Sequence, residues 1–165
     1  MHNLKPEEIL QSVHKIMRGA EYGFFISIGE DGHPSARLMQ PFEPEADLTL
    51  WFGASPGSRK IRELQKNAKV TISFHDSATT AYASLSGTAE VVDDPALKMR
   101  YWRAFWSDIY PGGPEGDEYV LIKVVPHRIE VMDFQGHALP QPYGLKPNVL
   151  ERKGTTWTLS DRGNL

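Results

Sequence analysis

Apolar residues at the start of the chain recur at helical spacing. Ile9, Leu10, Val13, Ile16 and Met17 follow Pro6, which a first helical turn accepts, and Gly19 supplies a stop. The period then changes. Strand-like runs from Tyr22 to Ile28 and from Ser35 to Phe42 flank Glu30-Asp31-Gly32-His33, and Asp-Gly between two such runs predicts an antiparallel hairpin, since both residues tolerate positive φ. Glu43-Pro44-Glu45 turns the chain into a third strand, Leu48 to Phe52, which Gly53-Ala54-Ser55-Pro56-Gly57 breaks. A short helix with Ile61 and Leu64 facing inward ends near Asn67.

Lys69 to His75 and Thr80 to Val92 are rich in Val, Thr, Ser and Tyr and predict two further strands, the second with a bend at Gly87. Asp94 as N-cap and Pro95 at the first helical position predict a helix carrying Leu97, Tyr101, Trp102, Phe105 and Trp106 on one face. After the loop Pro111 to Asp117, Glu118 to Val125 and Arg128 to Phe134 read as one long strand interrupted at Pro126. From about Gly136 the prolines Pro140, Pro142 and Pro147 predict a partly irregular tail that ends in a weak strand, Thr155 to Leu159. Short turns between strands and the lack of regular βαβ alternation predict a mainly β (α+β) fold: an antiparallel barrel with peripheral helices, one domain over residues 1–165.

Composition narrows the function classes. Apolar residues make up 40% and charged residues 24%, enough for a buried core. With 18 Lys+Arg against 21 Asp+Glu, no basic surface points to nucleic acid. The chain has no cysteine, which excludes disulfides, thiolate metal sites and a cysteine nucleophile, so redox chemistry would need a borrowed cofactor. A polar N-terminus and the absence of a long apolar run lead us to expect a cytoplasmic protein with no membrane segment. The histidines are scattered without metal-ligand spacing, so no metal site is expected, and no nucleophile elbow supports hydrolysis.

The most informative segment is Gly57-Ser58-Arg59-Lys60-Ile61-Arg62. If Ser58 caps the helix, three cations occupy a first turn where the macrodipole favours acids. That inversion suits an anion held by backbone N–H groups, the Ser58 hydroxyl and cationic side chains, in short a phosphate site. A solvated cap with its side chains bent into water is the plain alternative, because each exposed charge costs only about 0.3–1 kcal/mol there. A P-loop is excluded, since Ser58-Arg59 stand where that motif needs glycine and lysine. Arg37, alone among small and apolar residues in the second strand, either faces outward or borders the same cleft, the latter if strands two and three are neighbours. The aromatic stripe around Trp106 reads first as core or interface and second as a stacking surface.

Taken in order, Gly32 to Met39, Leu48 to Phe52, Ser58 to Leu64 with Asn67 to Phe74, and Ser86 to Val92 resemble the pyridoxamine-phosphate-oxidase-like flavoproteins, in particular the general stress protein branch. The resemblance runs from about residue 7 to residue 134. It implies a six-stranded antiparallel split β-barrel of Greek-key type, a homodimer with flavin mononucleotide (FMN) in each of two interface clefts. By position, Arg37, Leu38 and Met39 would line the isoalloxazine ring, Ser58, Arg59 and Lys60 would hold the 5′-phosphate, and Phe52, Gly53 and Ala54 would lie near the ribityl chain. Tyr82 and Trp106 would lie on the partner-subunit side. Arg37 would also shift the reduction potential of the ring.

Three departures limit the transfer: the first removes a hydrogen bond to the cofactor, and the other two argue against oxidation of pyridoxamine phosphate itself. Ala54 replaces a frequent threonine, Phe42 stands where the oxidase has a lysine, and the Thr155 to Leu159 ending lacks an arginine-rich tail. The resemblance therefore implies a flavin-dependent oxidoreductase of undefined substrate. A non-catalytic flavin-binding or redox-sensing module and a deazaflavin-dependent reductase are its alternatives, with haem the poorest fit for want of an axial ligand.

Overall fold

The computed structural model of the chain describes residues 4–135 and 146–160. Helix α1 spans Pro6–Ala20 and buries Ile9, Val13, Ile16 and Met17, the stripe its spacing predicts. The strands are β1 (Gly23–Ile28), β2 (Pro34–Met39), β3 (Leu50–Ala54), β4 (Lys69–Asp76), β5 (Ala81–Val92), β6 (Val120–Asp133), β7 (Asn148–Lys153) and β8 (Thr156–Leu159). Helix α2 (Arg59–Lys66) links β3 to β4, and α3 (Pro95–Arg100) follows β5. The strands lie in the order β2-β1-β4-β5-β6-β7-β8, with β3 also laddered to β6. Every ladder is antiparallel. The result is the expected open, split barrel.

The β1–β2 hairpin forms at the predicted turn, with Gly32 at φ +82° and the Asp31 carboxylate accepting from the His33 N–H. Strand β6 is long enough to serve two neighbours on one side. Its first half pairs with β3 and its second half with β7. Pro126 sits at that changeover, where its missing N–H breaks neither ladder, so the strand continues where an interruption is predicted. Opposite it the register of β5 shifts between Ser86 and Gly87, and a Cβ on Gly87 would lie 2.4 Å from the Val125 carbonyl oxygen. Only glycine lets β5 pass this point without moving backbone.

Phe25, Phe52, Phe74, Ile72, Leu85, Ile122 and Val124 fill the barrel, with the Phe25 and Phe52 rings edge to face at 5.3 Å. Ile61 and Leu64 of α2 join this core, as does the buried face of α1.

Three expectations need correction. The sheet has eight strands rather than six, because the tail after Pro147 forms the β7–β8 hairpin. Charged residues in Asn148–Lys153 disguise it, yet Val149 and Leu150 are buried through pairing with β6. The irregular stretch expected from Gly136 falls largely on residues 136–145, outside the described residues. The third strand begins at Leu50, since Leu48 takes a positive φ of 66° and belongs to the turn. The aromatic helix ends at Arg100, and a separate 3-10 turn, Ala104–Asp108, carries Phe105 and Trp106. The cap itself is as predicted, with the Asp94 carboxylate accepting from the Leu97 N–H at 2.8 Å.

The aromatic residues still converge. Trp51, Tyr101, Tyr110, Tyr119 and Leu121 form a second core against which Phe42, Trp102 and Trp106 pack.

Candidate functional site

Arg37 and the start of α2 meet, though by a different route from the one anticipated. Strand β2 ladders to β1 and β3 to β6, so strands two and three are not sheet neighbours. The connection is instead a buried carboxylate. Along β1, residues alternate inward and outward, which places Ser27 on the inner face below Phe25. Glu63 lies between the inward Ile61 and Leu64 of α2 and is 2% exposed. Its Oε2 accepts from the Ser27 hydroxyl at 2.5 Å and from Arg37 at 2.7 Å. Its Oε1 lies 3.3 Å from Nε of Arg59, one helical turn earlier.

The Arg37 guanidinium also donates to Ser27 Oγ at 2.5 Å and to Ser35 Oγ at 2.9 Å, and Arg59 donates to the same Ser35 oxygen at 3.0 Å. Ser35 therefore marks the point where the two arginines converge. Burial would raise the Glu63 pKa, but the hydrogen bonds from Ser27 and Arg37 and the charges of Arg37 and Arg59 outweigh it and hold the group below the usual carboxylate range. Lys60 feels the same cluster. Burial first, then the nearby Arg37 charge, push its ammonium below its ordinary value, against the pull of Glu63. Two arginines thus meet at one carboxylate, and Lys60 follows Arg59 on the same helix turn.

Ser58 occupies the N-cap position with extended backbone, yet its side chain makes no capping bond. Its Oγ is buried and without a partner. No acid stands in the first turn of α2. The open N–H groups, this unused hydroxyl and the surplus of positive charge leave room for an anion.

The remaining predicted residues fall in distinct places. Leu38 lies on the outer face of β2, 58% exposed, beside the cross-strand Phe24 at 51%. Arg37 and Met39 face the other way. A ligand reaching both Arg37 and Leu38 must lie along the edge of β2, which ends the strand order and offers backbone groups on its unladdered side. Phe52 is in the barrel core, and Ala54 is buried at the end of β3. Gly53 is covered by Trp106, because a Cβ there would stand 2.4 Å from that ring. Trp106 therefore packs on its own β3 in this chain. Tyr82 lies on β5 opposite His75, two strands removed from β1. Sequence reasoning missed Ser27, Ser35 and Glu63. The usable signal was two polar residues at inward positions, Ser27 in β1 and Glu63 in α2, with Glu63 four residues after Arg59.

An open antiparallel barrel with a cation-rich helix start beside a free strand edge defines a split-barrel protein. The chain belongs to the pyridoxamine 5′-phosphate oxidase-like family, whose model matches residues 8–155. It is 32% identical over 85 residues to protein bli-3 of Neurospora crassa, a stretch that covers 47% of this chain and 41% of that relative. The match thus spans less than half of that relative's length. A Clostridium acetobutylicum protein described as related to general stress protein 26 superposes with a TM-score of 0.75 at 20% identity, over 91% of this chain and 99% of that one. A Nostoc punctiforme protein described as pyridoxamine 5′-phosphate oxidase-related and FMN binding gives 0.64 at 15% identity, over 96% and 98%. An F420 reductase gives 0.55 at 23% identity, over 70% and 94%. Among the described residues no helix is long and apolar enough to cross a membrane, and no group of His, Asp and Glu is placed to hold a metal.

Proposed function

We infer that the protein is a cytoplasmic FMN-binding oxidoreductase that works as a homodimer. The observation that carries this reading is the meeting of Arg37 and Arg59 at Ser35 and Glu63, beside the N-cap Ser58, whose buried hydroxyl has no partner. A phosphate dianion is the group this arrangement suits, by charge-assisted hydrogen bonds and by the helix dipole. The edge of β2 would hold the isoalloxazine ring, with its open backbone donors and acceptors available to the ring's polar atoms and Arg37 available as a nearby positive charge. Bound flavin supplies hydride or electron transfer, and the protein contributes positioning and electrostatics. The exposed outer pair Phe24 and Leu38 supplies apolar surface for a second copy.

Substrate phosphate recognition of the oxidase kind fits poorly. Phe42, at the position of the oxidase lysine, is packed between Tyr101, Trp106 and the Arg103 guanidinium, with centroid distances of 5.1, 5.4 and 4.7 Å. The cation beside it, Arg103, is held by the Gln40 side chain and the Pro41 carbonyl. The likeness to the F420 reductase favours a second reading in which a deazaflavin, which also carries phosphate, uses the same helix start. A non-catalytic redox sensor would share the site and differ only in turnover. The isolated protein is expected to be yellow, or to quench FMN fluorescence when reconstituted, more strongly than it quenches deazaflavin. A colourless protein that quenches neither overturns the reading. Preference for deazaflavin selects the second. Bound FMN without turnover across a panel of reduced nicotinamides and other donors selects the sensor.

A further inference from the structure

Glu63 contacts both arginines of the site, yet its charge opposes the ligand inferred above. A carboxylate 2% exposed is stable only when paired, and its two oxygens are paired differently. Oε2 is enclosed by Ser27 and Arg37, both fixed in the barrel wall, and Arg37 is itself only 18% exposed. Oε1 meets Arg59, whose side chain is 66% exposed and held otherwise by the Ser35 hydroxyl. One pair is part of the core. The other lies at the surface, where a long side chain can exchange partners at little cost.

We propose that Glu63 is a built-in counter-anion, a positioning residue that holds Arg37 permanently and Arg59 only until a phosphate group at the start of α2 takes Arg59 from it. The inference rests on the phosphate reading above and adds the residue that sets its affinity. Without a ligand, Glu63 keeps the two arginines together at one spot despite their mutual repulsion. When phosphate arrives, the Arg59 guanidinium turns from Oε1 to the ligand, and Arg37 stays compensated through Oε2. Part of the attraction between Arg59 and phosphate is therefore offset by the pair that is given up. Binding is weaker than the cations alone would make it.

Glu63→Gln separates the two oxygens. With its amide oxygen placed toward Ser27 and Arg37, its NH2 group faces Arg59 and releases it. Wild type and variant are titrated with FMN and, separately, with inorganic phosphate. The variant is expected to bind both about three- to fivefold more tightly at low salt. The difference shrinks as salt is raised, because Arg59 is exposed. Gain of affinity is a readout that structural damage does not produce. In an Arg59→Ala background the gain should vanish, since the effect passes through that side chain. Equal or weaker binding by folded Glu63→Gln overturns the proposal, as does a gain that survives loss of Arg59.

If Glu63→Gln does not fold, Glu63→Asp keeps the buried charge but shortens its reach to Arg59, and phosphate affinity is again expected to rise. No rise overturns the proposal. Failure of the flavin reading is distinguishable. Wild type that binds phosphate but no FMN sinks that reading and leaves the Glu63 comparison to be decided by phosphate. Wild type that binds FMN while the variant gains nothing sinks only the present inference. Absence of phosphate and FMN binding in both proteins sinks both.

Discussion

Replacing Arg59 and Lys60 together by alanine is expected to weaken FMN binding by about a hundredfold or more and to yield colourless protein. A hydrogen bond to a charged group contributes about 1.5–3 kcal/mol, so losing two corresponds to at least two powers of ten in affinity. The lower end of that range applies, because Arg59 is largely exposed and must leave Glu63 and Ser35 to reach the ligand. The fold should survive. Arg59 lies at the surface, and the residues of α2 that enter the core are Ile61, Glu63 and Leu64. Equilibrium binding by fluorescence, with thermal unfolding as the control, checks this. Affinity retained within a few fold would remove the start of α2 from the phosphate site.

Tyr119→Ala is expected to be the most destabilising single substitution outside the barrel core. Tyr119 is fully buried, its hydroxyl donates to the Tyr101 carbonyl, and its ring contacts those of Trp102, Trp106 and Tyr110 at centroid distances of 5.3, 5.5 and 5.2 Å. Truncating a buried aromatic residue costs about 3–5 kcal/mol, which for a domain of this size lowers the melting temperature by about 10 °C. Tyr119→Phe keeps the ring and loses only the hydrogen bond, for about 1 kcal/mol. Since Trp106 lies between Tyr119 and Gly53, the larger truncation also loosens the cover over the end of β3. Differential scanning calorimetry of both variants checks the order. Near-equal melting temperatures for Tyr119→Ala and wild type would show that this aromatic cluster contributes little to the fold.

The elements most legible in the sequence were those set by local chemistry. Pro6 and the spacing from Ile9 to Met17 specify α1, Asp31-Gly32 the first hairpin, and Asp94-Pro95 the start of α3, since each depends on residues close in the chain. Long-range facts were hidden. Pro126 reads as a break because a lone strand cannot reveal that its neighbour changes from β3 to β7 at that residue. Asn148–Lys153 looks like loop because only pairing with β6 buries Val149 and Leu150.

The site divides in the same way. The cation-rich helix start was visible in Ser58-Arg59-Lys60, because it violates a local rule. A sequence pattern brings Arg37 to it only if strands two and three are neighbours; they are not, and the link through Glu63 crosses from β2 to α2. Single-chain polarity patterns suggest an inward carboxylate but not its partners. Trp106 was separated from Gly53 for a similar reason. A continuous helix would carry the ring elsewhere, and the turn at Tyr101 is what brings it back over β3.

The sharpest test of the phosphate site compares FMN with riboflavin, which share the ring and the ribityl chain and differ by one dianionic group. Calorimetric titration of purified, flavin-free protein is expected to give FMN binding tighter by about a hundredfold or more, with an advantage that falls as salt is added. Equal affinity for the two, or binding of neither, would contradict the assignment of the α2 start as the seat of a phosphate.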